Sequence, residues 1–151
     1  MKTKESRFIF LCFFCICFVA PVFPAQKYPD MEVLRVISVY DGDTFRADIK
    51  GMPDIIGKNI PIRVFGVDTP EIRGVSLFYR EKGYRAKDFT STFLKSGKKI
   101  ILRDAKRGKY FRIVAKVEVD GKDLGESLIN KGYARRYIID WEQNIFTSKT
   151  I

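Results

Sequence analysis

Histidine is absent from the whole chain, and the three cysteines, Cys12, Cys15 and Cys17, all fall within the first 25 residues. Residues 26–151 therefore have neither a disulfide nor a thiolate for zinc. With no imidazole present, accepting a proton near neutral pH falls to a carboxylate. Nothing after Ala25 reads as a repeat, a low-complexity tract or a linker, so a chain of this length is expected to fold as one compact unit. A cysteine-free unit of that kind is held by its core alone, which an oxidising compartment permits without being required.

The first residues follow a different logic. Lys2, Lys4 and Arg7 precede an unbroken apolar run from Phe8 to Ala20, and Pro21-Val22-Phe23-Pro24-Ala25 leads on into polar sequence. That is the layout of a secretory signal peptide over residues 1–25. The run is shorter than the roughly 20 residues a membrane helix needs, although an uncleaved N-terminal anchor through residues 8–20 is the alternative. The expectation is an exported protein, secreted or periplasmic, or else one held at a membrane by its leader.

Formal charge is +10, and the leader contributes only a small part of it. A polyanionic partner follows. Charge alone does not separate nucleic acid from an anionic membrane face, so the motifs must decide.

Val33 to Val39 is rich in β-branched residues, Thr44 to Ile49 follows the Asp41-Gly42 turn, and Ile60 to Val67 makes a third extended run. Gly51, Pro53 and Gly57 mark the loop before that third run. Lys99 to Leu102 is a short fourth strand. Arg112 to Val119 is a fifth, with Ile113, Ala115, Val117 and Val119 on one face and the tight-turn pair Asp120-Gly121 at its end. Between the third and fourth strands, Ala86, Phe89, Phe93 and Leu94 make an apolar stripe at helical spacing, with Gly97 as the stop. A shorter helix is expected over Asp123 to Lys131, ended by Gly132. The fold class is mainly β with helices (α+β): a five-stranded OB-fold barrel carrying two or three helices, an architecture used for oligonucleotides.

Three segments carry candidate chemistry: Asp41-Gly42-Asp43-Thr44, the run from Ile62 to Glu71, and Lys109-Tyr110-Phe111-Arg112. Asp43 begins one strand and Asp68 ends another, so neighbouring strands can bring both carboxylates to one end of a barrel. With the backbone carbonyl of Thr69 and water they would make an open, oxygen-only Ca²⁺ site. Glu71, three residues beyond Asp68, is the candidate general base. Arg63 and Arg112, delivered from separate strands, could grip the phosphate oxygens that gather charge in the transition state. Strand alternation alone puts Arg63 and Asp68 on opposite faces, unless Gly66 marks a bulge or bend that shifts the phase.

The stretch from about Val33 to Tyr137 resembles the staphylococcal nuclease (thermonuclease) family, in which Asp-Gly-Asp-Thr, Arg-x4-Asp-Thr-Pro-Glu and a Lys-Tyr-x-Arg segment occur in the same order. The resemblance implies a Ca²⁺-dependent phosphodiesterase domain over residues 26–151 that cuts DNA and RNA with little sequence preference and leaves 3′-phosphate ends. By that resemblance Asp43, Asp68 and the Thr69 carbonyl bind calcium, Glu71 handles the attacking water, and Arg63 and Arg112 hold the phosphate. Lys109, Tyr110 and Tyr137 would contact the nucleotide. The protein would act as a monomer with no obligate protein partner. Phe111 departs from the family's glycine before the second arginine, Tyr137 aligns only if the segment after Gly132 is one residue shorter, and only Asp140 to Ile151 follows where many members carry a long charged helix. The competing function is a noncatalytic nucleic-acid-binding or protein-interaction module on the same barrel. The presence of all five of Asp43, Asp68, Glu71, Arg63 and Arg112 argues against it.

Overall fold

The computed structural model describes residues 28–137; the leader and the segment from Asp140 onward lie outside the described residues. In chain order the elements are β1 (Met31–Val39), β2 (Thr44–Ile49), α1 (Asp54–Gly57), β3 (Ile60–Val64), β4 (Val67–Asp68), α2 (Leu77–Ser96), β5 (Ile100–Arg107), β6 (Ile113–Val119), β7 (Lys122–Asp123), α3 (Leu124–Asn130) and β8 (Arg135–Arg136).

Strands β1, β2, β3, β6 and β5 close into a five-stranded barrel, as expected of an OB fold. Consecutive β1, β2 and β3 pair antiparallel, β3 pairs β6 in parallel, β6 pairs β5 antiparallel, and β5 returns to β1. Closure requires β1 to serve two neighbours. Its register against β2 shifts between Val33 and Arg35 and again between Val36 and Ser38, and such bulges bend a strand. The barrel is filled by inward side chains, among them Phe45, Ile62, Leu102 and Val117, and α3 adds the fully buried Leu124 and Leu128. Ile113, Ala115, Val117 and Val119 are all buried, as the alternation required.

Several sequence expectations are corrected by the backbone. The third strand does not run through to Val67: it stops at Val64, turns at Gly66 with φ +75°, and resumes as β4. The fourth strand runs on to Arg107, because Asp104 (φ 50°) sits at a register shift beyond which pairing with β6 resumes; the charges of Arg103 to Arg107 hid that strand. Helix α2 starts at Leu77, well before its apolar stripe, since Leu77, Phe78 and Tyr79 are exposed and leave no periodic signal. Gly97 ends α2 in an extended conformation (φ −111°), not a left-handed one. Its glycine is needed for space, because a Cβ there would lie 2.3 Å from Val119 Cγ1. The shorter helix was well anticipated. Asp123 caps it by accepting from Glu126 N–H at 2.8 Å, and Gly132 (φ +72°) follows its end.

Candidate active site at the barrel mouth

The loop from Tyr40 to Asp43 is pressed between the barrel and α2. Gly42 allows this, since a Cβ there would lie 2.6 Å from Ala86 Cβ on α2, and Thr90 Oγ1 donates to the Gly42 carbonyl at 2.5 Å. On the barrel side Val64 N–H donates to the Asp43 carbonyl at 2.8 Å. Asp43 is thereby driven inward until its side chain is 1% exposed.

A carboxylate that deep needs partners. Asp43 Oδ2 accepts from both the backbone N–H and the hydroxyl of Thr69, each at 3.0 Å, and Oδ1 accepts from Thr44 Oγ1 at 3.0 Å and from the Arg63 guanidinium. Burial still dominates, pushing the Asp43 carboxyl from its ordinary 3.8 up to about 7; Arg63 works against the rise and Asp41 adds to it.

Arg63 reaches this point from β3, where it stands opposite Thr44. Its second terminal nitrogen lies 3.3 Å from Asp68 Oδ1 and 3.4 Å from the Val67 carbonyl. The turn at Gly66 resolves the phase problem, swinging Asp68 back toward the side that Arg63 occupies. One guanidinium thus joins both predicted carboxylates.

Arg112 arrives from β6. The parallel register sets Arg63 opposite Val114, and Arg112 lies two residues earlier on the same side. Its Cγ and the Val114 side chain both crowd Gly108, where a Cβ would lie 3.3 Å from one and 2.8 Å from the other. This is the face opposite the core stripe of Ile113, Ala115, Val117 and Val119, yet it is not open to solvent, since Val114 is 2% exposed and Arg112 is half-buried. Among the described residues, Arg112 Nε is buried without a hydrogen-bond partner.

Glu71 is exposed and lines a cleft of about 490 Å³ with Asp68, Thr69, Tyr79, Lys82 and Arg135, among others. It contacts the cluster only through this shared cleft; among the described residues its carboxylate has no hydrogen bond or ion pair. Lys109 and Tyr110 occupy the turn between β5 and β6, with Tyr110 91% exposed and left-handed (φ 55°). Tyr137 is half-buried beside the Gly66 turn, donating its N–H to the Gly66 carbonyl at 2.8 Å. Among the described residues, no hydrogen bond or ion pair joins Tyr110 or Tyr137 to the carboxylate cluster.

Two members of the cluster were not anticipated. Asp41 is buried, and its Oδ1 accepts the Asp43 N–H at 3.2 Å; an aspartate bonding the backbone two residues on is legible in Asp41-Gly42-Asp43. Arg135 lies opposite Asp68 in the β4–β8 pair and places a guanidinium nitrogen 3.7 Å from Asp68 Oδ2. Only that pairing reveals it.

The donors fit a hard divalent cation. They are oxygens only, those of Asp43 and Asp68 converge on a single cationic group, and burial leaves Asp43 short of compensating positive charge. Among the described residues, no three histidine, cysteine or carboxylate side chains gather into a metal centre, so carbonyl and water oxygens would have to complete the shell.

Comparison with known proteins identifies the family. The family model described as staphylococcal nuclease homologue matches residues 61–149, more than half of the chain. The chain belongs to the staphylococcal nuclease family. Within that family it is similar to a thermonuclease of Staphylococcus hyicus, at 32% identity over 69% of this chain and 59% of the relative. It is also similar to the endonuclease YncB of Bacillus subtilis, at 34% identity over 63% of this chain and 43% of the relative, and to an uncharacterized protein of Methanocaldococcus jannaschii, at 32% identity over 72% and 60%. The chain thus spans about half the length of the curated relatives it matches. Asp43 lies before the segment the family model covers; Asp68, Glu71 and both arginines lie within it.

Proposed function

We propose that this protein is a calcium-dependent, sugar-nonspecific nuclease that hydrolyses the phosphodiester bonds of DNA and RNA and leaves 3′-phosphate ends. The observation that carries the proposal is the convergence of Asp43, Asp68 and Arg63 at one end of the barrel, with Glu71 on the cleft that Asp68 also lines. The nuclease names of its relatives support the same reading.

In this reading Asp43, Asp68 and the Thr69 carbonyl hold Ca²⁺, which when bound would polarise a phosphate oxygen and favour the hydroxide form of water. Glu71 takes the proton of the attacking water from a solvent-facing position. Arg112 offers a half-buried guanidinium to a phosphate oxygen, a donor of the kind that favours developing charge. Arg63 holds a second phosphate oxygen in this reading. Lys109, Tyr110 and Tyr137 contact the nucleotide from the barrel's other loops. The leader, read as an export signal or anchor, would put this activity outside the cytoplasm.

Incubation of the purified protein with single-stranded DNA, in calcium and in chelator, beside Glu71→Gln and Arg112→Ala variants, tests the reading. Calcium-dependent cleavage that both variants impair is expected. Binding without cleavage would leave a noncatalytic module, and cutting in chelator would remove the metal site.

A further inference from the structure

Helix α2 meets the Glu71 loop at Gly83. A Cβ at that position would lie 2.8 Å from the Pro70 carbonyl oxygen and 3.0 Å from that of Glu71, so Gly83 is the ridge along which helix and loop touch. At about 100° per residue, Tyr79 and Lys82 fall on one flank of this ridge, and Tyr84 and Lys87 fall on the other. Each flank forms the wall of a separate cleft. The first, of about 490 Å³, is lined by Tyr79, Lys82, Tyr133 and Arg135; the second, of about 320 Å³, is lined by Tyr40, Arg73, Tyr84 and Lys87. Glu71 lines both.

The two clefts share one chemistry, aromatic rings interleaved with cations. Tyr40, Tyr79 and Tyr84 are each roughly half exposed, although burial would be the usual fate of such rings. The Arg73 guanidinium lies 5.2 Å from the Tyr40 ring centroid, and Lys82 Nζ lies 4.3 Å from that of Phe78 and 5.9 Å from that of Tyr79. Exposed rings beside cations are what a single nucleic-acid strand requires, since bases stack on any aromatic face and phosphates pair with the charges. An anionic membrane would also attract the cations. It would meet them as a flat surface, whereas these residues wall two concave clefts on either side of a carboxylate.

We propose that α2 carries a track for a single nucleic-acid strand that crosses Glu71, with one unpaired base seated on the Tyr79 flank and another on the Tyr84 flank. The track rests on the nuclease reading of the same site and extends it to nucleotides on both sides of the scissile phosphate. It makes Tyr40, Arg73, Tyr79, Lys82, Tyr84 and Lys87 substrate-positioning residues that act in binding.

The test is fluorescence anisotropy with a labelled single-stranded oligonucleotide and the full chain, in chelator so that nothing is cut. Wild-type binding is expected to weaken with salt. Tyr79→Ala and Tyr84→Ala are each expected to weaken binding by about tenfold, Tyr84→Phe to bind as wild type because the ring remains, and Ile55→Ala, outside both clefts, to change nothing. Lys82→Gln and Lys87→Gln should each reduce the salt dependence, and they serve if a tyrosine variant fails to fold. Wild-type affinity in both alanine variants overturns the track, as does binding to phosphatidylserine vesicles with no binding to the oligonucleotide. Adding calcium separates the two readings. An oligonucleotide that binds through both tyrosines yet stays intact sinks the nuclease and leaves the track, whereas cleavage indifferent to both tyrosines sinks the track alone.

Discussion

Thr69 holds Asp43 twice, its backbone N–H and its hydroxyl both donating to the same carboxylate oxygen at 3.0 Å. Both residues are buried, so neither bond can be exchanged for water without cost. The buried carboxylate is thereby fixed in orientation before any cation or substrate arrives.

Removing the hydroxyl should therefore register in stability. Thr69→Val is expected to lose about 1–3 kcal/mol, the range for a buried hydrogen bond to a charged group, while Thr69→Ser, which retains the donor, should lose less. Urea unfolding of the three proteins checks this ordering, and equal losses in the two variants would show that the hydroxyl contributes nothing.

Stability should also depend on pH through Asp43. Its folded value stands at about 7 against an ordinary 3.8, so between those values the folded chain keeps a proton that the unfolded chain has released. The corresponding stability is present in full below about pH 4 and is lost as pH rises through 7. Urea midpoints measured in chelator across that window should fall with pH, and Asp43→Asn should remove this component of the slope. Calcium requires the ionised carboxylate, so stabilisation by added calcium should grow over the same window.

Arg112 separates catalysis from stability. Among the described residues its Nε has no hydrogen-bond partner, so Arg112→Ala breaks no bond at that atom and is expected to change unfolding free energy by less than about 1 kcal/mol. Turnover should fall by about 10²-fold or more, as when one transition-state donor is removed. A variant that unfolds easily while retaining its rate would assign Arg112 to the architecture.

Phe111 occupies a left-handed conformation (φ 60°) that favours glycine, and it is held there by Arg107, whose guanidinium lies 4.1 Å from the ring centroid and whose Nη1 donates to the Phe111 carbonyl at 3.2 Å. Left-handed backbone costs roughly 1–2 kcal/mol for a residue with a Cβ, and an exposed cation–π contact returns about 0.5–1 kcal/mol. Phe111→Gly should consequently stay within about 1 kcal/mol of wild type. Phe111→Val, β-branched and without the ring, should be clearly less stable, which thermal melts of the pair would show.

Gly83→Ala should reverse the usual gain of about 1 kcal/mol for alanine over glycine in a helix, because the added Cβ collides with the Pro70 and Glu71 carbonyls. The Glu71 loop must shift, and turnover is expected to fall further than oligonucleotide affinity. Unaltered kinetics would mean that the loop yields freely.

Much of the fold is legible in the sequence. Asp43, Asp68, Arg63 and Glu71 stand out in the sequence by type and order, and Gly66 as the point where the strand must bend; the positive φ there bears out the bend. Harder to read were features set by partners distant in sequence. Arg135 became visible only through its pairing with Asp68, and the role of the exposed first half of α2 only through its contact with the loop at Gly83.

Local decisions are written in the sequence: most of the strands, the places where the chain turns, and the residue types available for chemistry in a chain without histidine. Those choices depend on side-chain shape and backbone freedom within a few residues. Tertiary structure decided what the residues do to one another. Packing of the Gly42 loop between the barrel and α2 sinks Asp43 out of water, and the turn at Gly66 puts Arg63 between two carboxylates. Desolvation and Coulomb attraction depend on neighbours in space, and those neighbours come from strands far apart along the chain.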